Sequence, residues 1–83
     1  MNRGNILKNI SISLKEVNDV TNFVNLLTTY DYEVDLVSGR YIVNAKSLLG
    51  IYSLDLSKPV KLVIYSDECD ELLAKLKEQF EIK

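Results

Sequence analysis

Two stretches of this chain, "VNDVTNFVNLLTTY" and "DECDELLAKLKEQF", each carry a single apolar stripe at helical spacing. In the first, Val17, Val20, Phe23, Val24, Leu27 and Tyr30 recur every three or four residues; in the second, Cys69, Leu72, Leu73, Leu76 and Phe80 share one face. The spacing predicts helices over about 17–30 and 67–80. Asp67, Glu68, Asp70 and Glu71 crowd the start of the second, where carboxylates can cap free N–H groups and meet the positive end of the helix dipole. A helix that is apolar along one stripe must bury it against something, and the rest of the chain supplies the surface.

That surface is a sheet. Ile10, Ile12 and Leu14 alternate with Ser11, Ser13 and Lys15, the period of a strand with one buried face. The runs "YEVDLV" and "RYIVNA" are β-prone and lie either side of Ser38 and Gly39, the composition of a hairpin turn. Pro59 precedes "VKLVIY", a fourth strand, and Ser47 opens a short helix between strands three and four. The order β-α-β-β-α-β-α predicts an α+β fold, with a four-stranded, mostly antiparallel sheet covered on one face by helices. With 83 residues and no linker, repeat or low-complexity tract, residues 1–83 are expected to form one domain.

Composition narrows the function. Twelve acidic residues stand against ten scattered basic ones, which leaves no electrostatic footprint for nucleic acid or an anionic membrane. Neither a signal peptide nor a stretch of membrane-spanning length is present, so a soluble cytoplasmic protein with protein partners is expected. There is no histidine, no carboxylate cluster of recognisable loop spacing and no glycine-rich phosphate loop, so neither a metal nor another cofactor is expected. The single cysteine, Cys69, lies on the buried stripe of the last helix and reads as an inert core thiol.

The short helix in "VNAKSLLGIYSL" is apolar on more than one side. Advancing about 100° per residue from Leu48, Tyr52 falls near ~40° and Leu49 near ~100°, whereas Ile51 falls near ~300° and Leu54 near ~240°. The expectation is that Ile51 and Leu54 face the sheet while Leu48, Leu49 and Tyr52 remain at least partly exposed as a docking surface; burial of both sectors under neighbouring loops is the alternative. Gly50 favours close approach of another backbone. Ser47 is placed to cap the helix, and a phosphate on it would meet unpaired N–H groups beside the apolar patch.

"VNAKSLLGIYSL", followed by "PVKLVIYSDECDELLAKLKEQF" and preceded by "YDYEVDLVSGRYI", resembles the HPr family, the small phosphocarriers of the bacterial phosphoenolpyruvate:sugar phosphotransferase system. The likeness runs ungapped from about Thr21 to Phe80 and is most specific over Asn44–Leu54, including Lys46, Ser47, Gly50, Ser53 and Leu54. It implies that family's open-faced β-sandwich and a carrier or regulatory protein rather than an enzyme. The first helix departs from the pattern. Family members carry "GLHARPA" or a close variant there, whose histidine takes a phosphoryl group from enzyme I and passes it to enzyme IIA. Here the stretch is "LKEVNDV", with Glu16 at the histidine's place, Asn18 at the arginine's and Asp19 at the proline's.

Histidine transfer needs a neutral imidazole nitrogen and donors for the phosphoryl oxygens, and this stretch offers neither. Glu16 could form an acyl phosphate, imitate phosphohistidine as a fixed charge, or be an ordinary solvated glutamate. The resemblance further implies that Ser47 corresponds to the serine phosphorylated by HPr kinase/phosphorylase in low-GC Gram-positive bacteria, where the product serves as corepressor for the catabolite control protein. On that reading Lys46, Leu48, Leu49 and Tyr52 are the partner-binding residues. Enzyme I or IIA-type components are the other candidate partners, for a carrier that uses Glu16 or for a non-phosphorylated competitor of HPr.

Overall fold

In the computed structural model, which describes residues 7–82, the chain runs β1 (Leu7–Ser13), α1 (Val17–Leu27), β2 (Val34–Ser38), β3 (Tyr41–Asn44), α2 (Leu48–Tyr52), β4 (Val60–Tyr65), α3 (Asp70–Gln79) and β5 (Glu81–Ile82). The strands form one sheet in the order β3-β2-β4-β1-β5, with every neighbouring pair antiparallel. The sheet therefore has five strands and not the four expected. The extra one arises because Phe80 leaves α3 with extended φ and ψ of −133° and 158°, and the next two residues pair with Ile12 and Ser13 of β1. Two residues are too few to show any alternation, so this strand has no sequence signal.

The register explains why one face of the sheet is apolar. Ile10, Leu62 and Leu36 lie in one row, Ile64 pairs with Val34, and Ile12 pairs with Val60. Onto that face α1 lays Val20, Phe23 and Leu27, α2 lays Ile51, and α3 lays Leu72 and Leu76, all of them buried. Phe23 and Phe80 meet edge to face, centroids 5.8 Å apart and planes at 87°, joining α1 to the end of α3. The opposite face carries Asn9, Ser11, Asp35, Val37, Ile42, Asn44, Lys61 and Val63 and has no helix over it.

Other boundaries move for identifiable reasons. Helix α1 ends at Leu27 rather than about Tyr30, because the Thr28 and Thr29 hydroxyls donate to the Asn25 and Leu26 carbonyls and the chain tightens into three-residue turns. The hairpin turn is Gly39–Arg40, one residue later than Ser38–Gly39. Gly39 has φ +62° and Arg40 does not share the positive φ, the combination of a type II′ turn with glycine first. Cys69 is buried but precedes α3 instead of lying on it, and burial pushes its thiol pKa up. No acidic side chain caps α3; Asp70 and Glu71 in its first turn act through the dipole, and the Ser66 hydroxyl accepts from the Glu68 N–H.

Candidate functional site

Ser47 stands at the N-cap of α2 in extended conformation, φ −103° and ψ 109°. Its Oγ accepts from the Gly50 N–H at 3.1 Å, and its carbonyl accepts the first helical bond from the Ile51 N–H at 3.0 Å. The hydroxyl hydrogen has no acceptor among the described residues. The oxygen is therefore held at one end of a five-residue helix while its proton stays available. Gly50 is needed for a different reason from the one read in the sequence. A Cβ there would lie 3.2 Å from both Ser47 Oγ and Val43 Cβ, so what approaches it is the capping hydroxyl and a strand side chain, not a backbone.

Beyond the cap, α2 divides as its angular spacing requires. Ile51 and Leu54 are buried, whereas Leu49 is 83% exposed, Tyr52 43% and Leu48 40%. The cover of neighbouring loops that would bury both sectors is not found. Lys46, by contrast, is largely turned into the scaffold. Its ammonium donates to the Tyr30 carbonyl at 2.7 Å and its backbone N–H to Asn44 Oδ1 at 2.8 Å. The cation thus satisfies a carbonyl just past the end of α1, a helix with no basic residue in its own last turn.

Glu16 is the N-cap of α1 and is exposed, as is Asn18. Asp19 is engaged: its Oδ2 accepts from the backbone N–H groups of Lys15 at 3.0 Å and Glu16 at 3.1 Å. That reach back across the first turn is half of a capping box, which accounts for an acidic residue where the resembling proteins have proline. Lys15 turns away to Glu81, 2.8 Å distant, and this hydrogen bond raises its pKa. The start of α1 therefore presents carboxylates, with its adjacent lysine committed to Glu81.

Val17 departs from the buried stripe on which the sequence places it. It belongs to the α1 stripe by spacing but is 68% exposed, adding an apolar side chain at the N-terminal end of the helix that packs beside α2. Helical side chains lean toward the N-terminus, so the first residue of a helix overhangs its support; position, rather than residue type, was the available signal. Clefts adjoin both ends of α2. One of about 570 Å³ is lined by Ser38–Tyr41 and Ser53–Asp55, and one of about 220 Å³ by Asp31–Asp35, Asn44 and Lys46. Among the described residues no group of three or more side chains is placed to hold a metal ion, and no helix is long and apolar enough to cross a membrane.

The comparisons bear on fold and family. Proteins of curated function give no match. A crystal structure of HPr-C-His from Thermoanaerobacter tengcongensis superposes with a TM-score of 0.69 at 27% sequence identity, covering 86% of this chain and 91% of the other. The profile of the PTS-HPr family, described as the PTS HPr component phosphorylation site, matches residues 17–81, beginning one residue past Glu16. Fold, helix order and sequence profile coincide over most of the chain, which belongs to the HPr family of phosphotransferase-system phosphocarrier components, proteins that are carriers and not enzymes.

Proposed function

We infer that this HPr-family chain is a regulatory binding module of the phosphotransferase system that does not carry phosphohistidine, docks to protein partners through Leu48, Leu49 and Tyr52, and is switched by phosphorylation at Ser47. The observation that carries the reading is the contrast between its two helix starts. At α1 the chain has no histidine, Glu16 is followed by Asn18, and Asp19 is consumed in capping. At α2 a serine with a free hydroxyl proton adjoins an exposed apolar face.

A phosphate on Ser47 would place about −1.5 to −2 charges beside that face while retaining an acceptor for the Gly50 N–H. The helix would persist and its surface would change sign. An HPr kinase/phosphorylase would write the mark and a catabolite control protein would read it, in the cytoplasm. Asn18 in place of an arginine removes one cationic contact from that second encounter. Acyl-phosphate transfer through Glu16 is the weaker reading, since neighbouring carboxylates repel a phosphoryl donor.

The test is incubation with phosphoenolpyruvate and enzyme I, followed by a search for a hydroxylamine-labile phosphate. No labelling is expected. Robust labelling at Glu16 would make the chain a working carrier with an unusual acceptor and would overturn the regulatory reading.

A further inference from the structure

Among the described residues the sheet has an open edge on each side, and the two differ in charge. At the far side β5 covers only Ile12 and Ser13 of β1 beside the Lys15–Glu81 ion pair, and the rest of that strand carries the exposed Lys8, charges that blunt an edge. Strand β3 is the terminal strand on its side, and its sequence "YIVN" contains no charge and no proline. Its first two residues, Tyr41 and Ile42, are 66% and 65% exposed and point to opposite faces.

Which backbone groups face outward follows from the ladder. The Ala45 N–H donates to the Val34 carbonyl at 3.0 Å, which marks Val34 and Ala45 as a hydrogen-bonded pair. Along an antiparallel ladder such pairs alternate, so Leu36–Val43 and Ser38–Tyr41 are bonded, while Ile42 and Asn44 direct their groups away from β2. The Asn44 carbonyl accepts from the Ser47 N–H at 3.0 Å. The Ile42 N–H and carbonyl and the Asn44 N–H remain for a partner strand.

We propose that this edge pairs antiparallel with the same edge of a second copy, about a two-fold axis at Ile42, joining two five-stranded sheets into one. The register is self-complementary. Ile42 meets Ile42 of the second copy on the open face, Tyr41 meets Val43 on the helix face, and Arg40 meets Asn44, so no like charges are opposed. The two Ile42 residues exchange two hydrogen bonds, and each Asn44 N–H reaches the opposing Arg40 carbonyl. The interface is isologous and closes at two copies. It leaves the α1–α2 face open and stands independently of the regulatory reading.

Four-residue strands bury less than a standard interface, so half-dimerisation is expected between about 10 µM and 1 mM. Sedimentation equilibrium of the full chain across that range reads it directly. The wild type should shift from monomer to dimer, Ile42→Lys should remain monomeric with an unchanged far-ultraviolet circular dichroism spectrum, and Leu49→Lys should dimerise like the wild type. A wild type that stays monomeric throughout, or a dimer abolished by Leu49→Lys and untouched by Ile42→Lys, would overturn the proposal.

Discussion

At the scale of single residues, the region around Ser47 is the tightest part of the candidate site. Gly50→Ala improves intrinsic helix propensity by about 1 kcal/mol, yet its new methyl would sit 3.2 Å from a Cβ fixed on β3 and 3.2 Å from the capping oxygen. Both neighbours must give by a few tenths of an ångström, and displacement of the hydroxyl takes the acceptor from the Gly50 N–H. Loss of a cap that contributes about 1 kcal/mol offsets that gain, so thermal denaturation should show Gly50→Ala no more stable than the wild type, whereas Ser47→Ala loses about 1 kcal/mol; a stabilised Gly50→Ala protein would show that the cap tolerates displacement. Tyr65 offers a pH-dependent test. Its hydroxyl donates to Asp35 Oδ2 at 2.9 Å, and this bond is the main cause of a pKa raised above 10.0. The neutral phenol is the favoured form, so its contribution is complete below the ordinary tyrosine pKa and is lost as pH rises through the elevated one. The stability difference between wild type and Tyr65→Phe should be constant at neutral pH and shrink above about pH 10.

At the scale of elements, the proposed function turns on two helix starts. Restoring a nucleophile alone should not restore transfer. Glu16→His would place an imidazole beside Asp19, whose carboxylate is bonded to two backbone N–H groups, and beside an uncharged Asn18. Labelling by enzyme I is expected to stay near background in Glu16→His and to rise only when Asn18→Arg is added, because the donor for the phosphoryl oxygens is then supplied. Equal labelling of the two variants would show that the arginine is dispensable.

The same elements show what was legible in the sequence. The stripes of α1 and α3 and the two sectors of α2 are period patterns, and burial follows them from Val20 to Leu27 and from Leu72 to Phe80. What stayed hidden depends on tertiary context. Val17 obeys the period but overhangs, β5 is too short to have a period, and Lys46 is read as a partner contact until its ammonium is seen on the Tyr30 carbonyl.

For the molecule as a whole, the one-sided sheet separates two surfaces. The helical side holds a core in which Ile12, Leu36, Leu62 and Ile64 are covered by Phe23, Leu72 and Leu76 without a buried polar or charged residue among those described. Cys69 lies inside it, inaccessible to the chemistry that a surface thiol would bring. Among the described residues the exposed large apolar side chains therefore lie at the rim, Val17 where α1 begins and Leu48, Leu49 and Tyr52 on α2, and on the sheet at Tyr41, Ile42 and Tyr65. A compact domain of this size can change its binding at the rim by adding charge to one hydroxyl without rearranging its core. The direct test is intact-mass measurement with peptide mapping after incubation with HPr kinase/phosphorylase and ATP, comparing the wild type with Ser47→Ala. One phosphate on the peptide containing Ser47, absent from the variant, is the expected result; an unmodified wild type under conditions that fully modify a serine-bearing HPr would contradict the switch and leave Ser47 as a helix cap.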